Sequence, residues 1–204
     1  DTPTLTLPDE STLPLASPLL EQVWLIVWPY AEDQTYLDLL PTQRLISVRE
    51  GPLERGDLEE QARLICVIYQ SESAQVPLNL QMQFERKIEL LGYQWLRESS
   101  GLRLRLFWRA GATLDVDYSV FVHWRRGEQM VAQSDSYPAQ GYYPTHLWRP
   151  GDIVADDHLL ETTAVPEEED SISVGLYSLQ TMQRLQMIDR SGVPVADHVI
   201  IEWP

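Results

Sequence analysis

Basic residues are the first thing this sequence lacks. Its 204 residues carry 15 Lys plus Arg against 31 Asp plus Glu, a net charge of -16, and Lys87 is its only lysine. Displacing counterions from phosphates needs clustered Lys and Arg, so nucleic acid and anionic membrane surfaces are excluded as main partners. Cysteine is nearly absent too: Cys66 stands alone. That excludes an intrachain disulfide and a cysteine-based metal cluster. Cys66 sits in the apolar run Leu64-Ile65-Cys66-Val67-Ile68 with no basic neighbour to activate it, so a buried core cysteine is expected. Long apolar stretches are missing as well. The longest, Val23-Trp24-Leu25-Ile26-Val27-Trp28, is six residues, where a membrane helix needs about 20. The chain opens Asp1-Thr2-Pro3-Thr4, without an initiator Met or a charged signal-like start, and reads as a piece or processed form of a longer protein. No HExxH, GxSxG, P-loop or GxGxxG motif occurs, so no cofactor and no metal is expected.

What is present divides into three stretches. Residues 1–20 hold Pro3, Pro8, Pro14 and Pro18 among Thr, Ser and Leu, the composition of an extended linker or strap. Residues 21–78 read as a small α/β element: a strand at 23–28, a short helix at 33–40 stopped by Pro41, and strands at 44–49 and 62–69. Beyond Gln75-Val76-Pro77 the texture changes to short strands with frequent turns. Residues 79–204 are therefore expected to form an antiparallel β-sandwich, immunoglobulin-like or jelly-roll-like. Strands are expected at 80–91 and 93–97, flanking a bend or bulge at Gly92. Leu102, Leu104, Leu106 and Trp108 alternate on one face of the next strand. Val120, Val122 and Trp124 share a face opposite Phe121 and His123. Further strands are expected at 130–134, 154–162, 172–178, 184–189 and 198–202. Acidity is not confined to either part: residues 1–78 hold 13 acidic and 4 basic residues, residues 79–204 hold 18 and 11.

One series of segments is more specific. It runs Leu90-Leu91-Gly92-Tyr93, Leu106-Phe107-Trp108-Arg109-Ala110, Asp117-Tyr118-Ser119-Val120-Phe121-Val122-His123, Val131-Ala132-Gln133-Ser134-Asp135, Tyr143-Pro144-Thr145-His146-Leu147-Trp148-Arg149-Pro150-Gly151-Asp152 and Val174-Gly175-Leu176-Tyr177. Over residues 21–204 this order resembles the soluble C-terminal domain that follows the membrane helices of bacterial glycosyltransferases in the dolichyl-phosphate-mannose protein mannosyltransferase-like superfamily. The resemblance implies an extracytoplasmic domain, periplasmic or at the cell surface, tethered through an upstream membrane segment. The catalytic acidic residues of that superfamily lie in membrane-proximal loops, and no segment here matches them. The chain is thus expected to be a non-catalytic accessory domain that binds an acceptor glycan or protein, or braces the membrane part.

The best candidate site is the loop at residues 137–148. Sugar CH faces stack on aromatic rings, and sugar hydroxyls pair with amides and carboxylates. Tyr142, Tyr143 and Trp148 would supply rings, with Gln133, Asp135 and His146 as polar partners. The plainer expectation is that the rings plug one end of the sandwich. Asp156-Asp157-His158 resembles a hard-metal or acid/base cluster in which Asp156 and His158 could share a ligand, but two residues are a thin cluster and a solvated strand face is the stronger expectation. Asp115 and Asp117 read as a turn, and Glu167-Glu168-Glu169-Asp170 as a solvated loop. Two other functions fit the composition: a free-standing carbohydrate-binding module, and a sandwich hydrolase with two carboxylates about 5 to 9.5 Å apart.

Overall fold

A computed structural model describes residues 21–29, 34–55, 61–98 and 101–203. The strands are β1 (Gln22–Val27), β2 (Leu45–Glu50), β3 (Leu53–Glu54), β4 (Arg63–Leu64), β5 (Val67–Glu72), β6 (Met82–Phe84), β7 (Ile88–Glu98) and β8 (Gly101–Ala110). They continue as β9 (Tyr118–Arg126), β10 (Gln129–Ser136), β11 (Ile153–Glu161), β12 (Asp170–Ser178), β13 (Met187–Ile188), β14 (Pro194–Ala196) and β15 (Val199–Ile201). A nine-stranded sheet runs β1-β5-β2-β11-β8-β7-β6-β13-β14, a four-stranded sheet runs β10-β9-β12-β15, and β3 and β4 form a small ribbon. The fold is mainly β, with antiparallel pairing throughout except where β2 lies parallel to β11.

The two main sheets stack because alternate residues on their strands are apolar. Leu104, Leu106 and Trp108 of β8 face Val120, Val122 and Trp124 of β9 and Ile172, Val174 and Leu176 of β12 within one core, all fully buried. Each such side chain contributes roughly 1.5–3 kcal/mol by leaving water. The alternation read at residues 102–108 and 118–125 therefore holds. So does the Gly92 irregularity, a bulge where the β7–β8 register shifts between Leu90 and Gly92. A Cβ at Gly92 would sit 2.4 Å from the Pro77 carbonyl oxygen, so the chain passing over the sheet requires glycine there.

The first third differs from the small α/β element expected. The helix at 33–40 is a five-residue 3-10 helix, Thr35–Leu39, which buries Leu37. Five residues are too few to recover the cost of nucleating an α-helix. β1, β2 and β5 pair with one another and then with β11, so this stretch extends the large sheet. Val23, Leu25, Ile46, Val67 and Tyr69 join the same core as β8 and β9. The strand expected at 62–69 is broken, with Cys66 between β4 and β5 and only half-buried rather than in the core. The 80–91 strand is likewise two strands, β6 and β7, joined by a tight turn with Glu85 and Arg86 at φ 47° and 56°. The proline-rich stretch 1–20 lies outside the described residues.

Candidate functional site

The pairing between β2 and β11 ends at Ser47 and Ala155. Past that point β2 stays with β5 and β11 stays with β8, and the strands part. A 3-10 turn, Pro138–Gly141, fills the opening and contacts both strands. The result is a groove of about 450 Å³ on the outer face of the large sheet. Trp24, Arg49 and Gln70 line one side, Arg103 and Arg105 the other, with Asp157 between them and Gln140 at the end. These residues reach one surface because β1, β5, β2, β11 and β8 are neighbours and each side chain sits on the outward register.

The groove is crowded with paired charge. Arg105 makes two parallel hydrogen bonds to Asp157, at 2.7 and 2.8 Å. That bond, against the cost of burial, holds the Arg105 guanidinium above its ordinary pKa. Arg103 forms a similar fork with Glu98, at 2.5 and 3.0 Å, and lies 3.8 Å from Asp157. Arg49 lies over the Trp24 ring, 4.9 Å from its centroid. Glu72 accepts from the side-chain amides of Gln22 and Gln70, and Glu50 accepts from the Tyr142 hydroxyl.

The turn at the groove's end is held from behind. Ala139 and Gln140 both adopt left-handed backbone, at φ 53° and 56°. The Ala139 N–H donates to Asp156 Oδ1 at 2.9 Å, and the Gln140 side-chain amide donates to the Asp157 carbonyl at 3.2 Å. Asp156 and Asp157 thus work on opposite faces of β11, one in the core and one in the groove. The other Asp156 oxygen lies 2.8 Å from His158 Nε2, and His158 Nδ1 lies 3.1 Å from Ser134 Oγ on the opposing sheet. Asp156 and His158 are fully buried, which corrects the solvated face expected for this triplet. Burial alone would raise the Asp156 pKa, but the His158 charge and the hydrogen bonds received from His158 and Ala139 bring it below the ordinary carboxylate value. Burial would lower His158, and the Asp156 carboxylate more than offsets it, leaving His158 raised. The pair is therefore an ion pair that ties β11 to β10. With Asp156 and His158 closed to solvent, the chain Ser134–His158–Asp156 joins the two sheets through the core.

The six residues singled out in the sequence do not converge. Tyr143 and Trp148 are sealed in the core, and the Trp148 indole N–H donates to the Tyr143 carbonyl at 2.9 Å. Burial pushes the Tyr143 hydroxyl pKa well above its ordinary value. Neither ring presents a stacking face to solvent. Tyr142 is half-buried and reaches the groove's rim through Glu50, while its carbonyl accepts from the Tyr69 hydroxyl at 2.8 Å. Gln133 and Asp135 lie on the outer face of the small sheet, where Asp135 is 3.0 Å from His123 Nε2. His146 is exposed and paired with Asp117 at 2.8 Å. Of the six, Tyr142 alone touches a residue of the groove lining, through its hydrogen bond to Glu50. Trp24, Arg49, Gln70 and Arg105 were missed; the outward alternation of Arg103 and Arg105 against Leu102, Leu104 and Leu106 was the one available signal.

Fold and groove together define a mainly β protein with two stacked, mostly antiparallel sheets and a polar cleft where the one parallel strand pair splits. No family model, curated protein or solved structure matches the chain. Among the described residues no helix is long and apolar enough to cross a membrane, and no group of three or more His, Cys, Asp or Glu side chains is placed to hold a metal ion.

Proposed function

We propose that this chain is a non-catalytic, extracytoplasmic accessory domain of a membrane glycosyltransferase-like protein, and that it seats an acceptor glycan in the groove between β2 and β11. The observation that carries this reading is the groove itself. It combines an indole–guanidinium contact, Trp24 with Arg49, with amide and carboxylate side chains on the same lining. The parent assignment is supported by the ordered segments of residues 90–177 that resemble the superfamily's C-terminal domain. Two experiments test the two halves. A glycan array followed by calorimetric titration should find saccharide binding that drops at least about tenfold in Gln140→Ala and Trp24→Ala, with the circular dichroism unchanged. Binding unaffected by both substitutions would move the site elsewhere. Sequencing the gene upstream of Asp1 should reveal hydrophobic spans, and a reading frame beginning near Asp1 would remove the parent assignment.

A further inference from the structure

The groove's hydrogen-bonding inventory narrows its ligand. We infer that it selects neutral, hydroxyl-rich saccharides and discriminates against uronates and other anionic sugars. This rests on the groove being the binding site.

The groove lining carries three carboxylates, Glu50, Glu72 and Asp157, and three guanidiniums, Arg49, Arg103 and Arg105, but two of the guanidiniums are already forked onto carboxylates. Arg105 is forked onto Asp157, and Glu72 also lies within electrostatic reach of it. Arg103 is forked onto Glu98. An arriving carboxylate would have to displace one of these bidentate partners, which exchanges one charge-assisted pair for another with no net gain. Arg49 has no carboxylate partner among the described residues, but it sits over the Trp24 ring in a groove that Glu50 and Glu72 also line. The hydrogen bonds those two carboxylates accept come from neutral donors. Glu50 accepts from the Tyr142 hydroxyl through Oε1, and Glu72 accepts from two amides through Oε2. Their remaining oxygens are acceptors that attract hydroxyl donors and repel anions. Gln70 and Gln140 each use one amide N–H, on Glu72 and on the Asp157 carbonyl, which leaves a second N–H and the carbonyl oxygen of each as donor and acceptor. Arg49 and the Ser47 hydroxyl, both on the lining, supply donors. A sugar hydroxyl both donates and accepts, and so matches this mixture; a carboxylate only accepts.

The test uses matched pairs: neutral tetrasaccharides of glucose, mannose and galactose, and the same chains oxidised at C6 to uronates, titrated calorimetrically into the whole chain at low and at physiological salt. The expected result is binding of at least one neutral chain that weakens about tenfold or more on oxidation, with the difference shrinking at higher salt. Glu50→Gln and Glu72→Gln should narrow the difference without abolishing neutral binding. A uronate that binds as tightly as its neutral parent, or tighter, overturns the selectivity and leaves the groove as a glycan site. Failure of every chain to bind overturns both the selectivity and the glycan reading of the groove.

Discussion

At the scale of single residues, the buried Asp156–His158 pair has the largest predicted consequence. Both side chains are inaccessible, and their charges satisfy each other at 2.8 Å. Removing one partner leaves the other buried and uncompensated, which costs on the order of 3–5 kcal/mol. His158→Gln is therefore expected to lower stability by about that much near pH 6, measured by urea unfolding. The pH dependence has a definite sign. His158 has its folded pKa above its ordinary value of 6.5, so its contribution is complete below that pH and is lost as pH rises through the raised value. Asp156 has its folded pKa below its ordinary value of 3.8, so its contribution is present above that pH and is lost as pH falls through the depressed value. The pair thus stabilises most between about pH 4 and 6.5, and the gap between wild type and His158→Gln should shrink on going from pH 6 to pH 9. A gap that is the same at both would mean that His158 is neutral in the folded protein.

Single strands show which parts of the structure could be read in the sequence. β8 and β9 were legible because alternation alone separates Leu104, Leu106 and Trp108 from Arg103 and Arg105, and Val120, Val122 and Trp124 from Phe121 and His123. β11 was only half legible. Val154 and Leu160 mark its inner face, but Asp156 and His158 share that face, and polar residues at inward positions read as surface until their partners on other strands are known. The β6–β7 turn was hidden because Glu85 and Arg86 take left-handed backbone that usually signals itself through Gly or Asn. The groove was hidden for a different reason: it draws on five strands far apart in the chain, and adjacency is a property of topology. Gly175 in β12 makes the same point. It falls on the outward register among Ile172, Val174 and Leu176, and sequence gives no reason for it. In the fold a Cβ there would stand 2.6 Å from the Phe121 ring of β9 and 2.8 Å from the Asp197 carbonyl oxygen. Phe121 lies across that bare position, only 1% exposed despite facing outward, with Arg184 over its ring at 4.4 Å. Gly175→Ala is therefore expected to destabilise the protein by about 1–3 kcal/mol, because ring and backbone must both move. A urea midpoint equal to wild type would show that Phe121 is free to swing aside.

For the whole molecule, the question is whether the first 78 residues and the rest can stand apart. A change in texture at residues 75–77 suggests a boundary, while the sheet runs through it. β2 pairs with β11 over Leu45–Ser47 and Ile153–Ala155, and Tyr69 packs edge-on to Tyr143 at 6.2 Å while its hydroxyl donates to the Tyr142 carbonyl. Val23, Leu25, Val27, Ile46, Val67 and Tyr69 cover core that the later strands cannot cover themselves. Uncovering the matching surface would cost several kcal/mol at roughly 25 cal/mol per Å² of apolar area, a large share of the 5–15 kcal/mol that separates folded from unfolded domains. It would also leave β11 with a bare sheet edge beside β8, where backbone groups on Ile153–Ala155 would seek other chains. Acidity does not distinguish the two parts either, since both are strongly negative, so charge repulsion gives no reason for one to fold alone. The full chain is therefore expected to unfold in urea in one transition, coincident by tryptophan fluorescence and far-ultraviolet circular dichroism. Residues 79–204 expressed alone are expected to aggregate or to lack a sharp transition. If that fragment instead unfolds cooperatively within about 1 kcal/mol of the full chain, then β1 to β5 are an appendage on a self-sufficient sandwich. The groove that they share with β8 and β11 would then be an interface between two folding units.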